Sequence, residues 1–226
     1  MTDLNNGLGL CKVEGRLALT LSTAAAQLGA APDALRSIFS AVHSVNRRAK
    51  ADERAALVLP ELSRGYGIAM LGQAVEIFGS EAILADLLME ERIQKLKLRG
   101  MLSGRLRIMP VDLQPGAVGC FLARTRKGED KTSAAAERQA RRDARRAEHI
   151  AATAGAARGR PAVAPTSLDR DCFLRLDGGL VMHMARGQGI WTGAPVEVCT
   201  YGLSRSGTPC ILPSMPVGLK VLDAAA

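Results

Sequence analysis

The sequence predicts an α+β fold, and three observations carry that prediction. Segments with apolar residues at every second position alternate with segments whose apolar residues recur every three or four, in the order strand, helix, strand, strand, helix, strand. Pro115-Gly116 then breaks the pattern. Beyond that break the chain reads as extended pieces and turns around one long stretch of alanine and arginine. The first order is the split βαβ arrangement, so residues 1–115 are expected to form a ferredoxin-like (RRM-like) domain. Residues 116–226 are expected to form a β-rich C-terminal part carrying an arginine-rich helix over about 132–154.

Each element has a local reason. Val13, Gly15, Leu17, Leu19 and Leu21 alternate with other residues, as a half-buried strand requires. After Pro32, the residues Leu35, Ile38, Phe39 and Val42 recur at helical spacing, predicting a helix to about Lys50. Ala55 to Leu62 predicts a second strand, closed by Pro60 and the Gly65/Gly67 loop, and Gln73 to Phe78 a third. Ser80 is placed to cap a helix whose inner face is Ile83, Leu84, Leu87 and Leu88. Lys97 to Val111 is expected as a fourth strand, or as a hairpin about Ser103-Gly104. Past Pro115-Gly116, Val118 to Ala123 is extended. Asp177-Gly178-Gly179 should turn a hairpin between Cys172–Leu176 and Leu180–Ala185. Val196 to Thr200 and Thr208 to Leu212 supply further strands.

The composition, 47% hydrophobic in 226 residues, is that of a globular chain able to bury a proper core. Cys11, Cys120, Cys172, Cys199 and Cys210 form no CxxC pair and are odd in number. With only three histidines, no zinc-finger spacing exists, and free thiols in a reducing cytosol are the expectation. No charged segment precedes an apolar run at the N-terminus and no stretch of about 18 apolar residues occurs, so a cytoplasmic protein without membrane association is expected.

Charge is the informative quantity. Of the net +8, Leu122 to Arg160 holds eleven Lys/Arg against five Asp/Glu, or +6, and the rest of the chain is nearly neutral. Within that segment Arg138, Arg141, Arg142, Arg145, Arg146 and His149 fall in steps of three and four, on one stripe of a helix about 16 Å long. Half of the residues between them are alanine and the rest polar, so the helix should form without an apolar face to bury. A stripe of cations with nothing to pack suits a polyanion, and a nucleic-acid groove fits its width and length.

Several segments, in one order, resemble the CRISPR-repeat-cleaving endoribonucleases of the repeat-associated superfamily, in the subtype I-F or the type IV branch. Phe39-Ser40-Ala41-Val42-His43 is similar to the FGKLH-type helix that bears the catalytic histidine. Leu57-Val58-Leu59-Pro60-Glu61-Leu62 resembles the strand that ends in Pro-acid-Leu. Leu71-Gly72 through Leu88 parallels a strand leading into a leucine-rich helix. Leu122 to Arg146 resembles an arginine-bearing linker followed by an arginine-rich helix, and Cys199-Thr200-Tyr201-Gly202-Leu203-Ser204-Arg205 is close to a C-terminal CYGLSK motif.

The resemblance implies a metal-independent endoribonuclease with no cofactor. It would bind the stem-loop of a CRISPR repeat RNA and cut at the stem base, by attack of a ribose 2′-hydroxyl that leaves a 2′,3′-cyclic phosphate and a 5′-hydroxyl. It would then keep the mature crRNA and join other effector-complex subunits, being a monomer when free. His43 takes the place of the general base, and Tyr201 that of the tyrosine near the scissile bond. Arg36, Ser40, His43 and Arg47 share one helical face, where guanidiniums would disfavour imidazolium and bind phosphate. Arg124 matches an arginine that reads a guanine, and Arg126 stands where the family has a glutamine. The stripe from Arg138 to His149 matches the helix laid along the hairpin. The family's serine has no counterpart in the turn at Asp177-Gly178-Gly179, which favours an alternative: a non-catalytic hairpin-binding subunit of a CRISPR ribonucleoprotein.

Overall fold

The computed structural model describes residues 7–65, 68–70, 72–111, 114–125, 168–175, 181–205 and 209–214. These belong to one compact unit formed by Met1–Thr125 with Ser167–Ala226; a second unit, Arg126–Thr166, holds none of the described residues. The arginine-rich helix expected near 132–154, with Arg126, Arg138, Arg141, Arg142, Arg145, Arg146 and His149, therefore lies outside them.

The chain runs β1 (Leu8–Cys11), β2 (Gly15–Leu21), α1 (Thr23–Gln27), α2 (Ala31–Arg48), β3 (Ala56–Val58), β4 (Ser63–Gly65), β5 (Ile68–Met70), β6 (Ala74–Gly79), α3 (Glu81–Met89) and α4 (Glu91–Leu98). It continues through β7 (Leu102–Ser103), β8 (Ile108–Pro110), β9 (Val118–Thr125), β10 (Leu168–Arg175), β11 (Val181–Ile190), β12 (Val196–Cys199) and β13 (Ser204–Arg205).

The main sheet has the order β3-β6-β2-β7, with β8 also on β2, and every pairing in it is antiparallel. Counting β2, β3, β6 and β7/β8 as first to fourth, the order is 4-1-3-2, which is the ferredoxin-like split βαβ. The fold is α+β. Its cause is visible in β2, where Leu17, Leu19 and Leu21 are buried and Ala18 and Thr20 exposed. The leucines face a core shared with Leu57, Val75 and Ile77 of the sheet and with Leu35, Ile38, Phe39, Val42 and Val45 of α2. Phe39 is fully enclosed there, and its truncation to alanine would cost about 3–5 kcal/mol. The opposite face of β3 and β6 (Ala56, Val58, Phe78) is covered by Cys11, Cys120, Val198, Cys210 and Leu212.

A second sheet, β10-β11-β9-β13, is antiparallel except for β13 on β9, and β1 pairs with β12. The hairpin expected about Asp177-Gly178-Gly179 is present as β10 paired with β11, with Arg175 opposite Val181; the turn residues themselves lie outside the described residues. Leu122, Met182, Met184 and Leu203 join the core that α2 enters, so the C-terminal strands share that core with the first sheet.

Three expectations are corrected. In place of a strand over Thr208 to Leu212, the described residues there make only an isolated antiparallel bridge, Leu212 to Cys120. Lys97 to Val111 is not one strand: α4 extends through Leu98, and the fourth strand is two short pieces on the same neighbour β2, so no hairpin turns at Ser103-Gly104. Leu96 and Leu98 alternate as in a strand, yet Ile93 and Leu96 are the residues that are buried, at the helical spacing of three. Ala55 to Leu62 is buried except at Glu61, but only Ala56–Val58 pairs in the ladder, because the chain turns at Leu59, whose carbonyl accepts from Leu62 N at 3.2 Å.

Candidate active site

Helix α2 places the first functional side chain. Pro32 and Asp33 suit its first turn and Arg47 and Arg48 its last, where charge complements the helix dipole. Its buried stripe runs through Leu35, Ile38, Phe39, Val42 and Val45, so His43 and Ser44 fall on the shoulder between core and surface. The second side chain comes from the turn after β12. Gly202 N–H donates to the Cys199 carbonyl at 2.8 Å, and Cys199 N–H to the Leu203 carbonyl at 2.9 Å.

The Tyr-Gly-Leu-Ser segment has a physical reason at each position after the tyrosine. Gly202 has φ +74°, and a Cβ there would lie 2.9 Å from the Ala55 carbonyl oxygen, 3.1 Å from Val42 Cγ1 and 3.2 Å from Leu57 N. Its carbonyl accepts from Leu57 N–H at 2.8 Å. Leu203 is fully buried in the core, and the buried Ser204 Oγ accepts from Cys210 N–H at 2.8 Å.

The turn lays Tyr201 on His43. The two rings stack with centroids 4.1 Å apart and planes 11° from parallel. Both line a cavity of about 500 Å³ with Ser40, Ser44, Arg47, Arg48 and Arg92. His43 Nδ1 is buried and has no hydrogen-bond partner among the described residues. Burial, then the Arg47 guanidinium, holds the imidazole below its ordinary pKa; Arg54 adds to this, and the Thr200 carbonyl opposes it. The ring is thus neutral at pH 7, the state a base must have.

The cationic rim is organised by one carboxylate. Glu90, 9% exposed, sits between α3 and α4 and accepts from Arg48 at 2.8 Å on one oxygen and from Arg92 at 3.2 Å on the other. Arg48 also donates to Ser44 Oγ at 3.0 Å. The two guanidiniums are held at the cavity with positive charge in excess, and Arg47 adds a third. Such a set receives a phosphate well.

Of the residues singled out in the sequence, the structure gathers His43, Arg47 and Tyr201 in one cavity, with Ser40. Arg36 is ion-paired to Asp33 at 3.3 Å and does not line it. Arg124 is half-buried on β9, opposite Met184 of β11, in the second sheet. Ser44, Arg48, Arg92 and Asn46 were not singled out. Arg92 lies on α4, in a stretch between the expected helix and strand that carries no motif signal, and Asn46 carries none either. Among the described residues, no group of three His, Cys, Asp or Glu is placed to hold a metal ion, and no helix is long and apolar enough to cross a membrane.

No protein-family model matches the chain. No curated protein matches it either. Among solved structures, one match is a CRISPR endoribonuclease, Cse3, bound to a 19-nucleotide RNA: 16% identical, over 91% of this chain and 100% of that one, with a TM-score of 0.39.

Proposed function

We propose that this protein is a metal-independent endoribonuclease that matures CRISPR RNA by cutting a repeat hairpin at the base of its stem. The observation that carries the reading is the His43–Tyr201 stack inside an arginine-lined cavity. Two residues picked out by separate motif resemblances, far apart in the chain, come to 4.1 Å in a cavity where a neutral imidazole faces three guanidiniums.

His43 Nε2 takes the proton of the attacking 2′-hydroxyl. The 2′ oxygen forms a bond to phosphorus, the bond from phosphorus to the 5′ oxygen breaks, and that oxygen takes up a proton. The products are a 2′,3′-cyclic phosphate and a 5′-hydroxyl. Arg47, Arg48 and Arg92 would hold the phosphate and the charge it gains in the transition state. Tyr201 fixes the plane of the imidazole, and Ser40 and Ser44 offer hydroxyls to the ribose. The arginine stripe from Arg138 to His149, with Arg124 and Arg126, would grip the stem and keep the product for assembly with other subunits.

The test is incubation with an end-labelled CRISPR repeat hairpin in excess EDTA. Cleavage products ending in a cyclic phosphate are expected. Tight binding with no cleavage would instead favour the non-catalytic hairpin-binding subunit. A strict need for Mg²⁺ would overturn the proposal.

A further inference from the structure

Asn46 lies nearly one turn of α2 beyond His43, on the buried side, and is fully enclosed. Its amide makes three hydrogen bonds. Oδ1 accepts from Ala55 N–H at 2.8 Å, and Nδ2 donates to the Ala55 carbonyl at 2.9 Å and to the Thr200 carbonyl at 3.2 Å. These partners fix which end of the amide is which, since a backbone N–H only donates and a carbonyl only accepts. Ala55 lies just before β3 and Thr200 in the turn after β12, so neither is inside a strand ladder at that point.

The turn is therefore pinned on both sides of the tyrosine. Asn46 holds Thr200, and Leu57 N–H holds the Gly202 carbonyl at 2.8 Å. Tyr201 is the residue between them. We propose that Asn46 is a positioning residue for the candidate active site: by holding the Thr200 carbonyl it fixes the turn that lays the Tyr201 ring on His43. This rests on His43 being the base, and it deepens that reading.

A residue that merely held the fold together would leave the imidazole's titration alone, so that is what to measure. The groups around His43 are Arg47 on its own helix, Arg54 from the segment before β3, Tyr201 and the Thr200 carbonyl from the C-terminal turn, and the Arg48–Glu90–Arg92 set across the cavity. Without Asn46, the turn retreats and two changes oppose each other: the Thr200 carbonyl, which favours imidazolium, is lost, and water reaching the unstacked ring removes part of the burial that disfavours it. Burial is the larger influence on this ring, so the titration midpoint moves up.

The experiment is an NMR titration of the His43 ring in the full chain, alongside single-turnover cleavage and RNA binding. Asn46→Ala is expected to raise the His43 midpoint, to abolish the ring-current shift that Tyr201 imposes, and to slow cleavage about 10- to 100-fold, as misplacement of a catalytic group does. RNA affinity should stay within about threefold, because only the step after binding depends on the stack. Asn46→Asp keeps the acceptor for Ala55 N–H and the volume, loses both donations and adds negative charge, so its midpoint should rise further. Leu87→Ala, in the α3 core away from the cavity, should lower stability without moving the midpoint.

Folded Asn46 variants with wild-type His43 shifts and midpoint would overturn the proposal. So would loss of folding in Asn46→Asp, since the residue would then hold the fold and not the turn. If wild-type protein fails to cut RNA, the endoribonuclease reading falls, while the NMR result still decides whether Asn46 sets the stack.

Discussion

Replacing Gly202 by alanine tests the turn that carries Tyr201. At φ +74° a side chain costs about 1–2 kcal/mol. The added Cβ would also stand 2.9 Å from the Ala55 carbonyl oxygen and 3.2 Å from Leu57 N, both backbone atoms that cannot rotate away. Relief requires the turn to retreat from the start of β3, which gives up the 2.8 Å bond from Leu57 N–H to the Gly202 carbonyl, about 1 kcal/mol. The sum is roughly 2–3 kcal/mol, or a fall in Tm of about 5–10 °C for a domain of this size. Retreat also carries the tyrosine off His43, so single-turnover cleavage should fall by about 10- to 100-fold while hairpin affinity holds. Denaturant unfolding and a cleavage time course on the same preparation measure both. Wild-type stability together with wild-type cleavage would refute the account of how this turn places the ring.

His43→Ala should slow cleavage about 100-fold or more, the usual effect of removing a general base, with hairpin affinity changed only a few-fold; full activity would remove His43 from the chemistry. Tyr201→Ala should cost about tenfold or more, whereas Tyr201→Phe, which keeps the stacking ring, should stay within about threefold, and a slow Phe variant would give the hydroxyl the role instead. Because burial and Arg47 depress the His43 pKa below 6.5, the cleavage rate should be level through pH 7 and fall only at lower pH; Arg47→Ala should shift that acid limb upward, and an unmoved limb would separate Arg47 from the imidazole. The same depression means the unfolded chain binds the proton more readily. Its contribution to stability is therefore complete above pH 6.5 and is lost as pH falls through the folded value, which urea unfolding across pH 5 to 8 would detect. Replacing Arg138, Arg141, Arg142, Arg145 and Arg146 together by alanine should flatten the slope of log K against log salt by roughly 3.5 to 4.5, while Arg124→Ala changes it by about one at most and lowers discrimination at one base pair. A five-fold variant that binds as tightly and as salt-sensitively as wild type would make the stripe an ordinary solvated surface.

The order of the principal elements of the first half, and the faces they bury, are legible in the sequence. Period-two leucines at 17, 19 and 21 and the 35-38-39-42 stripe depend only on which side of one element meets the core, a local property that composition and spacing express. The Tyr-Gly-Leu-Ser resemblance also marked Gly202 and Leu203, but what demands a glycine at 202 (Ala55, Val42 and Leu57, far away in the chain) only the fold brings there. Four things were decided by the tertiary structure. The Lys97–Val111 region divides between α4 and two short strands because Ile93 and Leu96 find a core to enter, overriding the alternation at Leu96 and Leu98. Strand β1 exists because β12, from the far end of the chain, offers it a ladder. Glu90 gathers Arg48 and Arg92 from two helices, a relation between side chains that no spacing rule contains. The His43–Tyr201 stack likewise depends on Asn46 reaching a carbonyl in the C-terminal turn, and hydrogen bonds to backbone leave no pattern in sequence because any residue type supplies the acceptor.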